Sequence, residues 1–457
     1  MRDTWTRAQR RTLYHPAVYD DAQPVESYWE STVERTAGEH APLEGSESCD
    51  VAVVGGGYTG LSAALHLARD YGVDVRVLEA GPIGWGASGR NGGFCTLAPT
   101  KLSVSQLLAR YGMEETRRFY ANQLEAIDLV DSLRGDEGIH YDRQGDGNLL
   151  VAHKPSCYRD LEGEAEALAR ISGMKTRLYT REAFAREGHD GTEQFGALHI
   201  GAGFALHPLK LALGIARAAA RRGAALHDHS RVIEWRREGG AHRLVTRGGE
   251  LRARRVIVAT NGYTRDALHP AFDGVLLPAL SNVITTRALS EEELARQSWR
   301  TETPICNTRH LLFYYRLLPD RRFLFGARGD TTGRPEHATK MRAWMVRRLG
   351  ELFPGWKNIP VTHFWCGLVC GTSRLTPCLG RLDEDPSVWY ALGYHGNGVN
   401  TAPWAGMILA QQLAGAETRK PSVSAVMAGL APRFRLPALR LWALRGAYLY
   451  YRWLDGK

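Results

Sequence analysis

CDVAVVGGGYTGLSAALHLARDYGVDVRVLEA, Cys49 to Ala80, decides the fold. CDVAVV is an apolar run of the kind that lies buried on both faces of a parallel sheet. Gly55, Gly56 and Gly57 follow it. Leu61, Ala64, Leu65 and Ala68 then recur at spacings of three and four, which predicts a helix. VDVRVLEA, Val73 to Ala80, reads as a second strand. The whole is a βαβ unit with Gly55-x-Gly57-x-x-Gly60 at its turn. Gly55 permits the tight turn, Gly57 lets the backbone approach a pyrophosphate, and Gly60 lets helix and strand pack closely. The phosphates then sit on the positive end of the helix dipole. Glu79 closes the second strand, where a carboxylate accepts hydrogen bonds from a ribose diol. A glycine turn that binds nothing is the plain alternative. Strand, helix, second strand and terminal acid all stand where a dinucleotide needs them.

Two further stretches select FAD over NAD. GWGASGRNGGF, Gly84 to Phe94, is rich enough in glycine for main chain to lie along an elongated cofactor. Ser88, Arg90 and Asn91 add polar contacts there. GYHGNGVNTAPWAG, Gly393 to Gly406, is a second strand–glycine–helix junction, whose helix start favours the negative charge of a reduced flavin. No second βαβ unit with such a turn is read (the glycines from Gly84 to Gly89 belong to the Gly84 to Phe94 loop), so no separate NAD(P)H site is expected and the electrons come from an organic substrate.

Outward from these motifs, residues 1–47 read as an extended arm broken by Pro16, Pro24 and Pro42, with Tyr28-Trp29 placed to pin it. Residues 101–199 read as helical and charged, apart from a short strand at Asn148 to Ala152. A helix from Pro208, a strand at 254–260 and repeated strand signals over 275–330 follow. YRLLPDRRFLFGA, Tyr315 to Ala327, predicts a hairpin turning at Pro319-Asp320. Helices are predicted at 338–352 and 401–414.

The 457 residues allow two or three domains or one two-lobed enzyme. An apolar share of 44% and a charged share of 23% exclude gross disorder. The net charge of +9 is Arg spread along the chain, so it reads as surface charge and not as a nucleic-acid footprint. Seven cysteines in no framework spacing read as the reduced thiols of a cytoplasmic protein. MRDTWTRAQRR lacks the apolar core of a signal peptide, and no apolar run suffices to span a bilayer. His363, Cys366 and Cys370 have no fourth ligand at a usable spacing, so no metal site is read.

VAVVGGGYTGLSAALHLA, ASGRNGGF, LHPLKLALGIARAA, VIVATNGYT and GYHGNGVNTAPWAGMILA together resemble the D-amino-acid-oxidase-like FAD-dependent oxidoreductases. The nearest branch is that of γ-glutamylputrescine oxidoreductase-like members. The resemblance runs from about residue 25 to about residue 415. It implies an α/β, two-lobed fold, with a Rossmann-type FAD-binding lobe and a mixed antiparallel-sheet substrate lobe. The lobes are expected at 48–100, 200–262 and 363–420 for FAD, and at 101–199 and 263–362 for substrate. It also implies cofactor contacts. Gly55, Tyr58, Thr59, Gly60, Glu79 and Ala80 would hold the ADP half. Ser88, Gly89, Arg90, Asn91, Gly92 and Gly93 would pass the pyrophosphate and ring. Val232 would meet adenine, and Thr260, Asn261 and Gly262 would lie over the pyrophosphate. Gly396, Asn397, Gly398 and Val399 would reach the flavin's pyrimidine edge.

The family's last motif usually reads G-[FY]-S-G-H-G-V, and here His395 and Asn397 replace its Ser and His. Glycine-oxidase-like members carry a carboxylate-binding Arg soon after W-x-G-L. Here Val369 follows Trp365 to Leu368, so Arg374 and Arg316 are the substitutes. This favours an amine over a simple α-amino acid. Trp365, Tyr314, Tyr315 and Tyr394 are expected to cage the substrate, with His395 touching the ring. The reaction implied is oxidation of a C–N bond to an imine, with O2 reoxidising the flavin to give hydrogen peroxide. A dehydrogenase serving a quinone or carrier protein, or a non-catalytic FAD-bound subunit, are the rival readings. The apolar tail at 421–457 either docks on the body, lines a subunit contact or touches a membrane surface.

Overall fold

The computed structural model describes residues 12–36, 38–97, 100–416 and 422–456. The signal-peptide reading of Met1 to Arg11 lies outside them.

The βαβ unit forms as its spacing predicts. Strand Gly45–Val54 runs parallel to Val75–Leu78 on one side and to Gly249–Val258 on the other. Val51 and Val53 face one apolar core, while Ala52 and Val54 face another, which is why the run has no polar alternation. The sheet continues outward with Ala225–His227 beyond Val75–Leu78, and with Val388–Leu392 then Cys378–Arg381 beyond Gly249–Val258. Only that last edge pair is antiparallel along this path. Helix Tyr58–Tyr71 packs on the late helix Gly398–Leu413. Gly406 makes this possible, because a Cβ there would lie 2.3 Å from the Thr59 carbonyl oxygen.

The second sheet has the order Val361–Thr372, Leu276–Ala288, Arg322–Arg328, Tyr314–Leu317, Ile305–Asn307, Asn148–Val151, Ala197–Ile200, Thr176–Tyr179. It is antiparallel except where Ile305–Asn307 meets Asn148–Val151. The hairpin at Pro319-Asp320 is present, with Leu317 opposite Phe323. Period-two alternation sorts its residues between two faces. Tyr315, Phe323 and Phe325 pack with Met345 and Leu349 of helix Pro335–Leu352. Tyr314 and Leu324 join the core shared with the dinucleotide-binding sheet.

Two lobe boundaries differ from expectation. Strand Val361–Thr372 pairs along its length with Leu276–Ala288, so residue 363 falls inside the substrate sheet and does not start a segment of the FAD lobe. Helix Val104–Asp136 belongs with the FAD lobe, because Gln123 accepts hydrogen bonds from Asn397 (3.0 Å) and Thr401 (2.8 Å). Strands Thr176–Tyr179 and Ala197–Ile200 also interrupt the stretch read as helical. For these two strands, pairing in the sheet overrode local propensity.

The arm is pinned at the expected place. Trp29 is 1% exposed, and Tyr28 donates to Asp320 at 2.8 Å. Tyr14 donates to the Pro278 carbonyl at 3.0 Å.

Candidate active site

A cavity of about 1340 Å³ runs from the βαβ turn to the late glycine cluster. Gly55, Gly57, Tyr58, Thr59, Glu79, Ala80, Ser88, Asn91, Val232, Thr260, Asn261, Tyr394, Gly396, Gly398 and Val399 line it. These come from five separated segments, and all were named from the sequence.

The geometry suits a dinucleotide. Gly55 has φ of +113°, and a Cβ on it would lie 2.8 Å from the Ala259 carbonyl oxygen. Gly57 begins helix Tyr58–Tyr71 with no side-chain cap, leaving the helix start free to receive an anion. Ser88 holds the Tyr58 amide at 2.9 Å, tying the second glycine loop to that helix start. A Cβ on Gly57 would fill this cradle, 2.8 Å from Ser88 Oγ. The residues present therefore fit FAD.

Glu79 is buried and accepts from the amides of Gly56 (2.5 Å), Ala80 (2.9 Å) and Gly81 (3.2 Å). Burial outweighs these donors and pushes its carboxyl up to about 6. Near neutral pH it is ionised and able to take a ribose diol. As pH falls through about 6 it gains a proton and loses acceptor capacity. FAD affinity should fall by up to about tenfold per pH unit below that point. Fluorescence titration of wild type and Glu79→Gln at pH 5 to 8 checks this, since the variant should be weaker at neutral pH and lack the step.

The remaining expected cofactor residues act behind the cavity wall. Gly60 lies under the turn, and its absent Cβ would be 2.0 Å from the Gly55 carbonyl oxygen. Gly93 has φ of +76°, and a Cβ would lie 1.9 Å from the Leu206 carbonyl oxygen. Gly89 and Gly92 make similarly close approaches, to Gly84 and to Tyr314 with Phe94. Arg90 stacks 4.2 Å from the Trp85 ring and donates to the carbonyls of Trp85 and Cys366. Gly262 packs on Leu368 and Cys370. Asn397 turns its side chain inward to Gln123, so only its glycine neighbours reach the cavity.

The catalytic expectations need more correction. Tyr315 faces helix Pro335–Leu352, within 5.7 Å of His189 and 5.5 Å of Phe353, because strand alternation turns it away and presents Tyr314 instead. Arg374 is spent on the carbonyls of Pro377, Met427, Ala428 and Gly429. Arg316 is buried and donates to the carbonyls of Gly92 (3.0 Å) and Leu206 (2.6 Å), which makes it a clamp on the glycine loop. Trp365 braces the same loop through a 2.8 Å bond to the Arg90 carbonyl. Tyr394 belongs to the cofactor groove, with its hydroxyl 2.6 Å from Thr59 Oγ1. His395 receives the Thr372 amide on Nε2 at 3.2 Å, and burial pushes its ring down to about 3, so it is a neutral support with its proton on Nδ1.

The arm residues Tyr19 and Asp21 and the cations Lys101 and Arg328 had no clear sequence signal, whereas Tyr314 was among the expected residues. Tyr19 and Asp21 of the arm line the cavity, and Arg231 fastens them by pairing with Asp21 and donating to the Tyr19 carbonyl. Tyr314 meets Phe94 edge-on at 5.6 Å and bonds Ser281 at 3.0 Å, beside Gly92. Arg328 stands near it, and Lys101 lies near Arg328 and Cys306. Lys101 keeps accessible surface, yet the surrounding protein pushes its amine down to about 8, aided by Arg328. Arg328 stands opposite Ser281 on the adjacent strand. Among the described residues, neither cation has an ion-pair or hydrogen-bond partner.

The fold and the cavity define a two-lobed enzyme of flavin-dependent redox chemistry. Glycine oxidase from Geobacillus kaustophilus superposes with a TM-score of 0.66 at 23% identity, over 82% of this chain and 96% of that one. Iminodiacetate oxidase from Chelativorans sp. BNC1 does so with a TM-score of 0.66 at 20% identity, over 84% and 100%. The profile of the DAO family, described as FAD dependent oxidoreductase, matches residues 50–412. The chain belongs to that family and is an FAD-dependent oxidoreductase. Gamma-glutamylputrescine oxidoreductase of Escherichia coli K12 is 34% identical over 384 residues, spanning 83% of this chain and 88% of that protein.

Proposed function

We propose that this enzyme oxidises the C–N bond of an amine that also carries an anionic group remote from the nitrogen. The unpartnered pair Lys101 and Arg328 carries this reading, because two neighbouring cations, one of them opposite Ser281 and near Tyr314, with no carboxylate of their own, call for an anion from the substrate. The relative from Escherichia coli is named for such a molecule, a diamine bearing a glutamyl group. The Arg missing after the W-x-G-L stretch fits the same reading, since the anion is held elsewhere.

When bound, FAD would supply the two-electron redox chemistry, as acceptor of a hydride equivalent from the carbon beside the nitrogen. The chain's own residues supply the geometry. Arg316, Trp365 and Trp29 immobilise the 90–93 loop through its carbonyls. Tyr314 and Ser281 wall the neighbouring face and help exclude water. Lys101 and Arg328 orient the substrate by its far end. The imine product hydrolyses to a carbonyl compound and an amine or ammonia.

Lys101→Met and Arg328→Met should each raise KM for a γ-glutamylated diamine by roughly 10- to 100-fold, as loss of a charge-assisted bond does, with kcat little changed. KM for the same amine without its carboxylate should barely move. Equal effects on both substrates would remove the anion role. Wild-type KM for the anionic amine should also rise above about pH 8, where Lys101 loses its charge.

We assign reoxidation to O2 and the working compartment to the cytoplasm, the latter supported by seven cysteines that are all free thiols. Peroxide formed at the rate of substrate loss, with O2 as sole acceptor, tests the first. A quinone acceptor is the second reading, favoured by the exposed aromatic face of the carboxy-terminal helix.

A further inference from the structure

The last helix, Arg440–Gly456, lies beyond the family-matched residues. One face of it is fastened to the body. Arg440 is 5% exposed and pairs with Asp266 at 2.7 Å. Arg445 reaches the Thr331 carbonyl, Tyr448 is buried, and Asp455 accepts from the amides of His310 and Leu311. The helix is therefore held in one orientation.

Its other face is apolar and aromatic. Leu439, Trp442, Leu449, Tyr450 and Trp453 each keep half or more of their surface exposed. At about 100° per residue these positions, with Gly446, fall within one arc roughly 100° wide. They and Leu436 make up six of the nine large apolar side chains exposed among the described residues, so the patch is a concentration and not scatter. Within the segment the charge is of one sign, although Arg433 and Arg440 pair with Asp273 and Asp266 of the body. Arg433, Arg435, Arg440, Arg445 and Arg452 stand in the segment, and its one acid, Asp455, is turned inward. Arg435 and Arg452 are exposed, and Arg445 stacks 4.5 Å from the Trp442 ring. No helix among the described residues is long and apolar enough to cross a membrane.

We propose that this helix seats the enzyme on an anionic lipid surface, with Trp442, Leu449 and Trp453 sunk to headgroup depth and Arg435 and Arg452 facing the lipid phosphates. Trp and Tyr favour that depth because they join an apolar body to a polar tip, and a rim of Arg supplies the electrostatic part. A protein partner or a second copy would not call for so one-sided a basic rim. The site is independent of the oxidation chemistry. Its anchor point Thr331 lies close in sequence to Arg328 of the proposed substrate site.

Flotation of the full-length FAD-loaded enzyme with vesicles tests it. One set is pure phosphatidylcholine and the other an equal mixture with phosphatidylglycerol. Binding should be at least tenfold stronger to the anionic set at low salt and should weaken sharply in half-molar salt. W442S/L449S/W453S should abolish it while leaving the flavin spectrum and turnover of a soluble substrate intact. R435Q/R452Q should weaken binding to the anionic set alone, and it perturbs no buried contact if the triple variant misfolds. Binding to neither vesicle overturns the proposal. So does a wild-type dimer that becomes monomeric in the triple variant without any vesicle binding, which would make the face an interface between copies.

Discussion

Gly60→Ala is expected to yield a protein without the flavin absorption band. The added methyl carbon would lie 2.0 Å from the Gly55 carbonyl oxygen and 2.9 Å from Val53 Cγ1. Gly55 cannot retreat, because its amide is held by the Leu78 carbonyl at 2.9 Å and its own Cβ position abuts Ala259. The helix must move instead. On its far side it already touches helix Gly398–Leu413, where the Thr59 carbonyl meets Gly406. Any shift draws the Tyr58 amide from Ser88 and the helix start from the pyrophosphate position. Overpacking of this kind costs about 1–3 kcal/mol in stability. The loss of FAD affinity should be larger, on the order of 100-fold, since an anion site at a helix start depends on close approach. The flavin-to-protein absorbance ratio and an FAD titration measure it. Stoichiometric FAD at wild-type affinity would show that the close packing does not position the phosphates.

Arg316→Ala is expected to be the most damaging single change in the substrate sheet. The side chain is 1% exposed, and three buried acceptors depend on it: the carbonyls of Gly92 and Leu206 and, at 3.4 Å, Gln144 Oε1. Its guanidinium also lies 5.6 Å from the Trp29 ring. Alanine would strand those acceptors and leave a void beneath Trp29. Together these should cost about 3–5 kcal/mol and lower Tm by roughly 3–5 degrees. The loop that Arg316 clamps should loosen, and FAD should dissociate faster. An Arg that gripped substrate would behave oppositely, raising KM with Tm unchanged. A thermal melt beside a KM measurement therefore separates the two roles.

The part of the cavity that would hold the cofactor was readable because its code is local. Gly55, Gly57, Gly60 and Glu79 act within one βαβ unit, where spacing alone sets the geometry. Ser88, Asn91, Gly396 and Gly398 were legible for the same reason, each lying at a glycine-rich junction. The substrate half was not. Tyr314 and Tyr315 are adjacent, and nothing in their immediate sequence says which packs toward the dinucleotide-binding sheet. The register of Tyr314 against Gly326, and of Arg328 against Ser281, settled that. Arg374 is the nearest cation after the Trp365 motif, yet four carbonyls brought by the 427–429 segment and Pro377 claim it.

By itself, then, the sequence determined the parallel sheet, the phosphate-binding turn and FAD as cofactor, because strand burial, helix period and glycine spacing are short-range properties of the chain. Only the tertiary structure decided that Lys101 and Arg328 come near each other, that the arm closes over the groove through Tyr19 and Asp21, and that the tail helix docks one face while baring the other. Those outcomes depend on which distant segments arrive to pair, pack or compete for each side chain, and no local pattern specifies them.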